Sequence, residues 1–264
     1  MALYRRWGVA GIKVDYMDRD DQQTVDFYHR LLRTAAANRL MVNLHGAYPP
    51  RGLARTYPNF LTQEGVLGAE YNKWSRRITA RHNVTLAYTR LLVGPMDYTP
   101  GAMRNATPKT FEIRMIHPQV MTTRAHGLAM YVVYEAPFQM VSDHPGAYEG
   151  QPSFQFIKDV PATWDETTVL NGMPGEFITI ARRNGNQWFL GSMTNWTPRT
   201  LELSLHFLGD GTYKAEIYAD APDSDKFPKH VVIEKKTVNR NSTLSVNLVS
   251  AGGYAVRFTP QNRN

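Results

Sequence analysis

The chain has 264 residues, 42% of them hydrophobic and 11% aromatic, enough apolar mass for one large domain or two ordinary ones. No apolar run is long enough to cross a bilayer, and the lack of cysteine excludes disulfides and thiolate metal sites. The formal charge of +7 comes mainly from residues before 160, where Arg30, Arg33, Arg39, Arg51 and Arg55 are scattered and form no stripe, so a solvated basic surface is expected rather than a nucleic-acid site.

Met1 to Trp7 shows no signal-peptide core and reads as the tail of a helix closed by Gly8. Residues 11–15 follow as a short buried strand: Ile12 and Val14 are β-branched, and the strand runs out into Asp15 and the charged cluster Asp18 to Asp21. Asp20 or Asp21 can cap a helix over 22–38 whose apolar face is Val25, Tyr28, Leu31, Leu32 and Ala35. Further strands are predicted at 40–45, 60–64, 93–97 and 138–143, and helices at 84–92, 118–135 and 154–159. Strand–helix alternation at this spacing predicts an α/β fold with a parallel sheet, and most of its strands end in Asp, His or Glu. About five strands are present, whereas a closed (β/α)8 barrel needs eight, so the sheet is either open or the C-terminal part of something longer.

After Pro161 the pattern changes. Seven short strands, at 177–181, 188–192, 201–205, 214–218, 230–234, 244–248 and 254–258, are separated by hairpin signals such as Asn184-Gly185-Asn186. They predict an antiparallel β-sandwich, with Trp164 to Thr167 as the junction. The domain reading is therefore 1–160 for a partial barrel and 161–264 for the sandwich.

Parallel α/β folds build their sites at the C-terminal ends of strands, where Asp15, Glu64, Asp97 and Asp143 fall, with Glu70 just beyond. Asp15 reads equally as a helix-capping acid or as a catalytic carboxylate. Two carboxylates flanking one bond can cleave a glycoside, one attacking or activating water and the other protonating the leaving oxygen.

Four ordered motifs narrow this: Gly11-Ile-Lys-Val-Asp-Tyr-Met-Asp18, Asn43-Leu-His-Gly-Ala47, Thr62-Gln-Glu-Gly-Val-Leu-Gly-Ala-Glu-Tyr-Asn72 and Gly94-Pro-Met-Asp-Tyr-Thr-Pro-Gly101. The chain resembles glycoside hydrolase family 97, calcium-dependent α-glucosidases and α-galactosidases, over nearly its whole length. The resemblance implies a (β/α)8 barrel, of which this is the C-terminal part, followed by a β-sandwich; family members also carry an N-terminal β-domain and the first barrel strands. It implies a retaining exo-α-glycosidase of α-galactosidase type acting on an oligosaccharide or α-galactoside, periplasmic or secreted, with no membrane partner. Asp15 matches the nucleophile of the retaining branch and Glu70 the acid/base. The inverting branch places a base directly after the histidine that His45 matches, and here Gly46 stands there. Glu64 matches a calcium ligand and Glu70 can share the ion, although two glutamates do not fill a shell of six to eight oxygens. Lys13, on the same strand face as Asp15, is expected to bond sugar hydroxyls and hold Asp15 ionised, or else to form a structural ion pair. His45 and Asp97 are expected to touch substrate, Asp143 is a further candidate, and Trp74 and Tyr98 are candidate sugar platforms. An inverting α-glucosidase and an inactive carbohydrate-binding or scaffold fragment are the alternatives.

Overall fold

The computed structural model describes residues 1–101 and 103–261. Helix α1 (Ala2–Arg6) leads through Gly8, at φ +79°, into strand β1 (Gly11–Val14). Helix α2 (Gln22–Ala37) starts on Asp21, whose side chain accepts the Thr24 amide at 3.0 Å, and buries Tyr28, Leu31, Leu32 and Ala35. Those residues pack on Val42 and Leu44 of β2 (Met41–Leu44) and, beyond the one-turn helix α3 (Leu53–Thr56), on Phe60 of β3 (Phe60–Gln63). The three strands are parallel in the order β1-β2-β3. Because side chains alternate along a strand, the apolar Val14 and Leu44 face one side while Lys13, Asn43 and Thr62, which lie in lateral register, face the other. Asp15, His45 and Glu64 continue that polar face past the strand tips.

Two of the expected strands do not form. Residues 93–97 become a 3₁₀ turn, Arg90–Val93, followed by Gly94-Pro95 and a single bridge from Met96 to Gln63; Pro95 has no amide to give a ladder, and Gly94 sits at φ +121°. The buried Arg90 takes over the missing pairing, donating to the carbonyls of Gln63 (2.6 Å), Glu64 (2.9 Å), Gly94 (2.8 Å) and Pro95 (3.2 Å). At 138–143 only Ser142 bridges, to Gly101, and Asp143 turns to φ +81°. The helix expected at 84–92 is α4 (Ala80–Tyr88), started by the Thr79 side chain. The helix expected at 118–135 shortens to α5 (Arg124–Val133), since Thr123 caps it and Val120 is already bridged to Asn105. Helix α6 spans Phe154–Asp159.

Eight antiparallel strands follow: β4 (Glu166–Met173), β5 (Phe177–Asn184), β6 (Gln187–Thr194), β7 (Arg199–Ser204), β8 (Tyr213–Asp220), β9 (Val231–Val238), β10 (Thr243–Leu248) and β11 (Gly253–Pro260). Strand β4, expected only as a junction, is an edge strand exposed along most of its length, so it carries no apolar alternation to read. The six-stranded sheet β4-β5-β6-β11-β8-β9 faces the pair β10-β7 across a core of Trp188, Leu190, Leu203, Ile217, Val246 and Phe258. Its other face meets α5. Ile178, Ile180 and Met193 join Met96, Tyr98 and Ala129 in one cluster, while Phe189 and Ala255 join Leu128, Val132 and Phe156 in another. Every residue of α5 is therefore buried, and the sheet approaches so closely that a Cβ on Gly191 would lie 2.7 Å from the Ala129 carbonyl. Met96 and Tyr98, which flank Asp97, pack on the same helix from the other side of that cluster.

Candidate active site

His45, the first residue past β2, organises the strand tips. Its Nδ1 lies 2.8 Å from Asp97 Oδ2, and its Nε2 lies 3.3 Å from Glu64 Oε1 and 3.4 Å from Glu70 Oε1. Lys13 Nζ reaches the same Asp97 oxygen at 2.8 Å and Met140 Sδ at 3.5 Å. Glu64 Oε2 accepts the Gly46 amide at 2.8 Å. Three acids and two bases from five chain segments thus meet at one end of the parallel sheet.

The electrostatics follow from this geometry. Burial opposes a charge on His45, but its bonds to Asp97 and Glu70 and the charge of Glu64 outweigh that penalty and push its pKa up to about 10. It is an imidazolium at neutral pH. Burial also works against ionised Asp97, yet hydrogen bonds from His45 and Lys13 hold its carboxyl below the usual range. Glu70 is lowered chiefly by its bond from His45, whereas Glu64 is raised by burial.

Asp15 lies just past β1 and is exposed. Its Oδ1 accepts the Tyr16 amide at 2.7 Å, and the loop folds back with Tyr16 at φ +66° and Asp18 at φ +44°. The Asp18 amide donates to the Gly46 carbonyl at 2.7 Å, which pins the loop to the exit of β2. Gly46 itself, at φ +54°, allows the contact: a Cβ there would lie 2.8 Å from Tyr16 N and 2.9 Å from Asp15 Oδ1. The Asp15 carboxylate therefore stands over Gly46, next in sequence to His45. Glu70 arrives on the 3₁₀ turn Ala69–Lys73, anchored by the Ala69 amide to the Tyr98 carbonyl at 3.0 Å, and is partly exposed. It forms part of the wall of a cavity of about 560 Å³, while Glu64, Gly46 and Asp18 line a cleft of about 490 Å³.

Several expectations are corrected. Asp97 does not reach a substrate surface: its side chain is 1% exposed and sits beneath His45 and Lys13, so it positions those groups. Lys13 directs its ammonium at Asp97, the structural ion pair, although it keeps partial exposure toward the site. Asp143 is paired with Arg104 at 3.2 Å and is not brought to the cluster. Tyr98 is a core residue, its hydroxyl donating to Asn83 at 2.7 Å and its ring edge-on to Tyr134. Trp74 is half exposed against Tyr71. Sequence reasoning had no role for Gly46 beyond the missing base and none for Arg90, and it read Asp18 only as part of a capping cluster. The positive-φ loop could not be read from residue types, and a buried arginine looks like any other in a sequence.

Glu64, Glu70 and His45 each offer a ligand atom, all within 4.8 Å of one another. The donor set fits a hard cation in part: two carboxylates converge and one of them is buried, but a protonated His45 is not a ligand.

A family model described as "Glycoside hydrolase 97" matches residues 1–66, and one described as "Glycosyl-hydrolase 97 C-terminal, oligomerisation" matches residues 163–259. The chain is 40% identical over 258 residues to a retaining alpha-galactosidase of Bacteroides thetaiotaomicron, covering 97% of this chain and 39% of that protein. It is 38% identical over 251 residues to a probable retaining alpha-galactosidase of Streptomyces bingchenggensis, covering 95% of this chain and 36% of that one. Among solved structures, a family 97 enzyme of Pseudoalteromonas sp. strain K8 in complex with panose superposes with a TM-score of 0.89 at 35% identity, over 99% of this chain and 44% of that chain. The chain thus spans about two fifths of the length of the curated relatives it matches. With both of its ends matched by the family's models and nearly its full length matched by these relatives, the chain belongs to glycoside hydrolase family 97.

Proposed function

We propose that the chain is the C-terminal portion of a retaining exo-α-glycosidase that removes terminal α-galactosyl groups, with residues 1–160 closing a (β/α)8 barrel, residues 161–264 forming the appended sandwich, and the whole acting in the periplasm or outside the cell. The observation that carries the reading is the Asp15 carboxylate standing over Gly46, beside the His45–Glu70 contact.

In the first step Asp15 attacks the anomeric carbon, the bond to the leaving oxygen breaks, and Glu70 gives that oxygen its proton. Water then attacks the same carbon, Glu70 accepts its proton, and the Asp15 ester is released. This retaining course requires the carboxyl groups to stand about 5–5.5 Å apart across the sugar. The hydrogen bond from His45 lowers the Glu70 pKa, which suits the base of the second step. The acid of the first step needs that bond given up, so the entering sugar takes over the His45 donor. Asp97 holds His45 in place and charged, while Lys13 shares the Asp97 oxygen and its own charge opposes the imidazolium. Glu64 and Glu70 would hold calcium, which would supply positive charge beside the leaving oxygen.

The test is hydrolysis of aryl α-galactoside and aryl α-glucoside by the full chain, with and without chelator, for wild type and Asp15→Ala. The expected outcome is a preference for the galactoside, inhibition by chelator, and a loss of roughly 10⁴-fold or more in the variant. Azide should restore turnover and give a β-galactosyl azide. Unchanged turnover in Asp15→Ala would remove the nucleophile assignment, and an α-azide, the product of two displacements, would mean that another residue still forms the covalent intermediate.

A further inference from the structure

The cavity of about 560 Å³ that has Glu70 in its wall is not used by any step above. Its floor and rim come from two loops remote in sequence: Met115, Ile116 and Val120 on one side, Met140 and Val141 on the other. Met115, Ile116 and Val141 are exposed, Ile116 by 77%, where a solvated loop would ordinarily carry polar side chains. Met140 touches Lys13 Nζ at 3.5 Å, so this wall is continuous with the strand-tip cluster. Polar groups line it too, Asn72, Lys73, Gln119 and Asp143 among them, so the apolar surface is one wall of the cavity.

An acid that protonates a leaving oxygen must face the leaving group, so space bounded by Glu70 is where the aglycone goes. Resting on the function proposed above, we infer that this cavity is the leaving-group subsite and that it selects an apolar aglycone, an alkyl or aryl alcohol, over a second sugar. The reasoning is one of desolvation. Sugar hydroxyls laid on the wall of Met115, Ile116, Met140 and Val141 would be taken from water with no hydrogen bond returned there, whereas an alkyl chain gains by covering that wall. Flexible methionine side chains at two positions let one cavity fit alcohols of different shape.

Octyl α-galactoside and an α-1,6-linked galactosyl-glucose have leaving alcohols of similar basicity, so their comparison isolates the subsite. Wild-type full chain should show kcat/KM at least tenfold higher for the octyl compound. In Met115→Ser/Ile116→Ser this preference should fall by roughly tenfold, the discrimination that one or two methylenes supply in an apolar pocket. Turnover of α-galactosyl fluoride, which has no aglycone to bind and little need of a proton, should stay within twofold and shows that the variant is folded. No octyl preference in wild type, or equal loss on all three substrates in the variant, would overturn the subsite. If wild type cleaves none of the three, the catalytic reading fails by itself, and the subsite is judged by saturation-transfer NMR of 4-nitrophenol with the full chain. A signal in wild type that disappears in the double variant would sustain it, and no wild-type signal would overturn it.

Discussion

Helix α5 separates two buried carboxylates that meet opposite fates. On one side Asp97 accepts from His45 and Lys13, two cations, and its carboxyl is held below the ordinary range in spite of its burial. On the other, Asp220 at the end of β8 has no cation among its partners. Its Oδ2 accepts the amides of Val249 (3.2 Å) and Gly253 (2.9 Å), Thr123 at the start of α5 adds a hydroxyl, and burial pushes the pKa up to about 7. The contrast shows what makes a buried acid a charge centre: amide dipoles alone do not repay desolvation, whereas a fixed ammonium and imidazolium do. The first environment borders two open cavities and concentrates charge. The second joins α5 to the antiparallel sheet, and the acid at its centre is held by amides and a hydroxyl instead of by cations.

Four substitutions break or sharpen this comparison. The largest effect is expected at the joint. A Cβ on Gly253 would overlap the backbone of His126, so Gly253→Val should cost about 4 kcal/mol in denaturant unfolding. At the strand tips Arg90→Met takes the guanidinium donor from the carbonyls of Glu64, Gly94 and Pro95 and leaves that of Gln63 only the Asp97 amide at 3.3 Å, and should cost about 3 kcal/mol by the same measurement. A loss below 1 kcal/mol would mean that the carbonyls find other donors.

The remaining two are read by pH. Asp220 binds its proton more tightly folded than unfolded, so stability should fall as pH rises from about 4 to about 7. Asp220→Asn keeps an acceptor for the two amides and should flatten that dependence across the window, seen as converging Tm values toward acid. His45 has the same sign in a higher pH window. Its pKa is raised on folding, so its contribution is complete below pH 6.5 and is lost as pH climbs toward about 10. Removing the Asp97 charge in Asp97→Asn should bring the His45 midpoint down by more than one pH unit, about 1.4 kcal/mol, in an NMR titration. An unmoved midpoint would assign the shift to Glu64 and Glu70 instead.

Much of this architecture was legible in the residues. The first three strands carry β-branched or aliphatic runs with turn residues at their ends, α2 has a capping Asp and a clean apolar face, and the strands from β5 onward appear at the predicted places. The places where the sequence misled share a cause. Residues 93–97 and 138–143 look like strands because they are apolar, yet Gly94-Pro95 denies the first a ladder and the second keeps only the Ser142 bridge before Asp143 turns to φ +81°. Strand β4 was invisible because an exposed edge strand needs no apolar pattern.

For the site, local sequence determined which chemical groups lie at the strand tips: short β runs ending at Asp15, His45 and Glu64 can project those side chains only past the C-terminal edge of the sheet. Tertiary structure alone decided their roles. Asp97 lies 52 residues from His45 and 84 from Lys13, and whether it faces a sugar or supports an imidazolium depends on how β3 and the Arg90 turn bring it under His45. The identity of a charged residue is local information; its solvation and its partners, which set its protonation and its work, are properties of the folded neighbourhood.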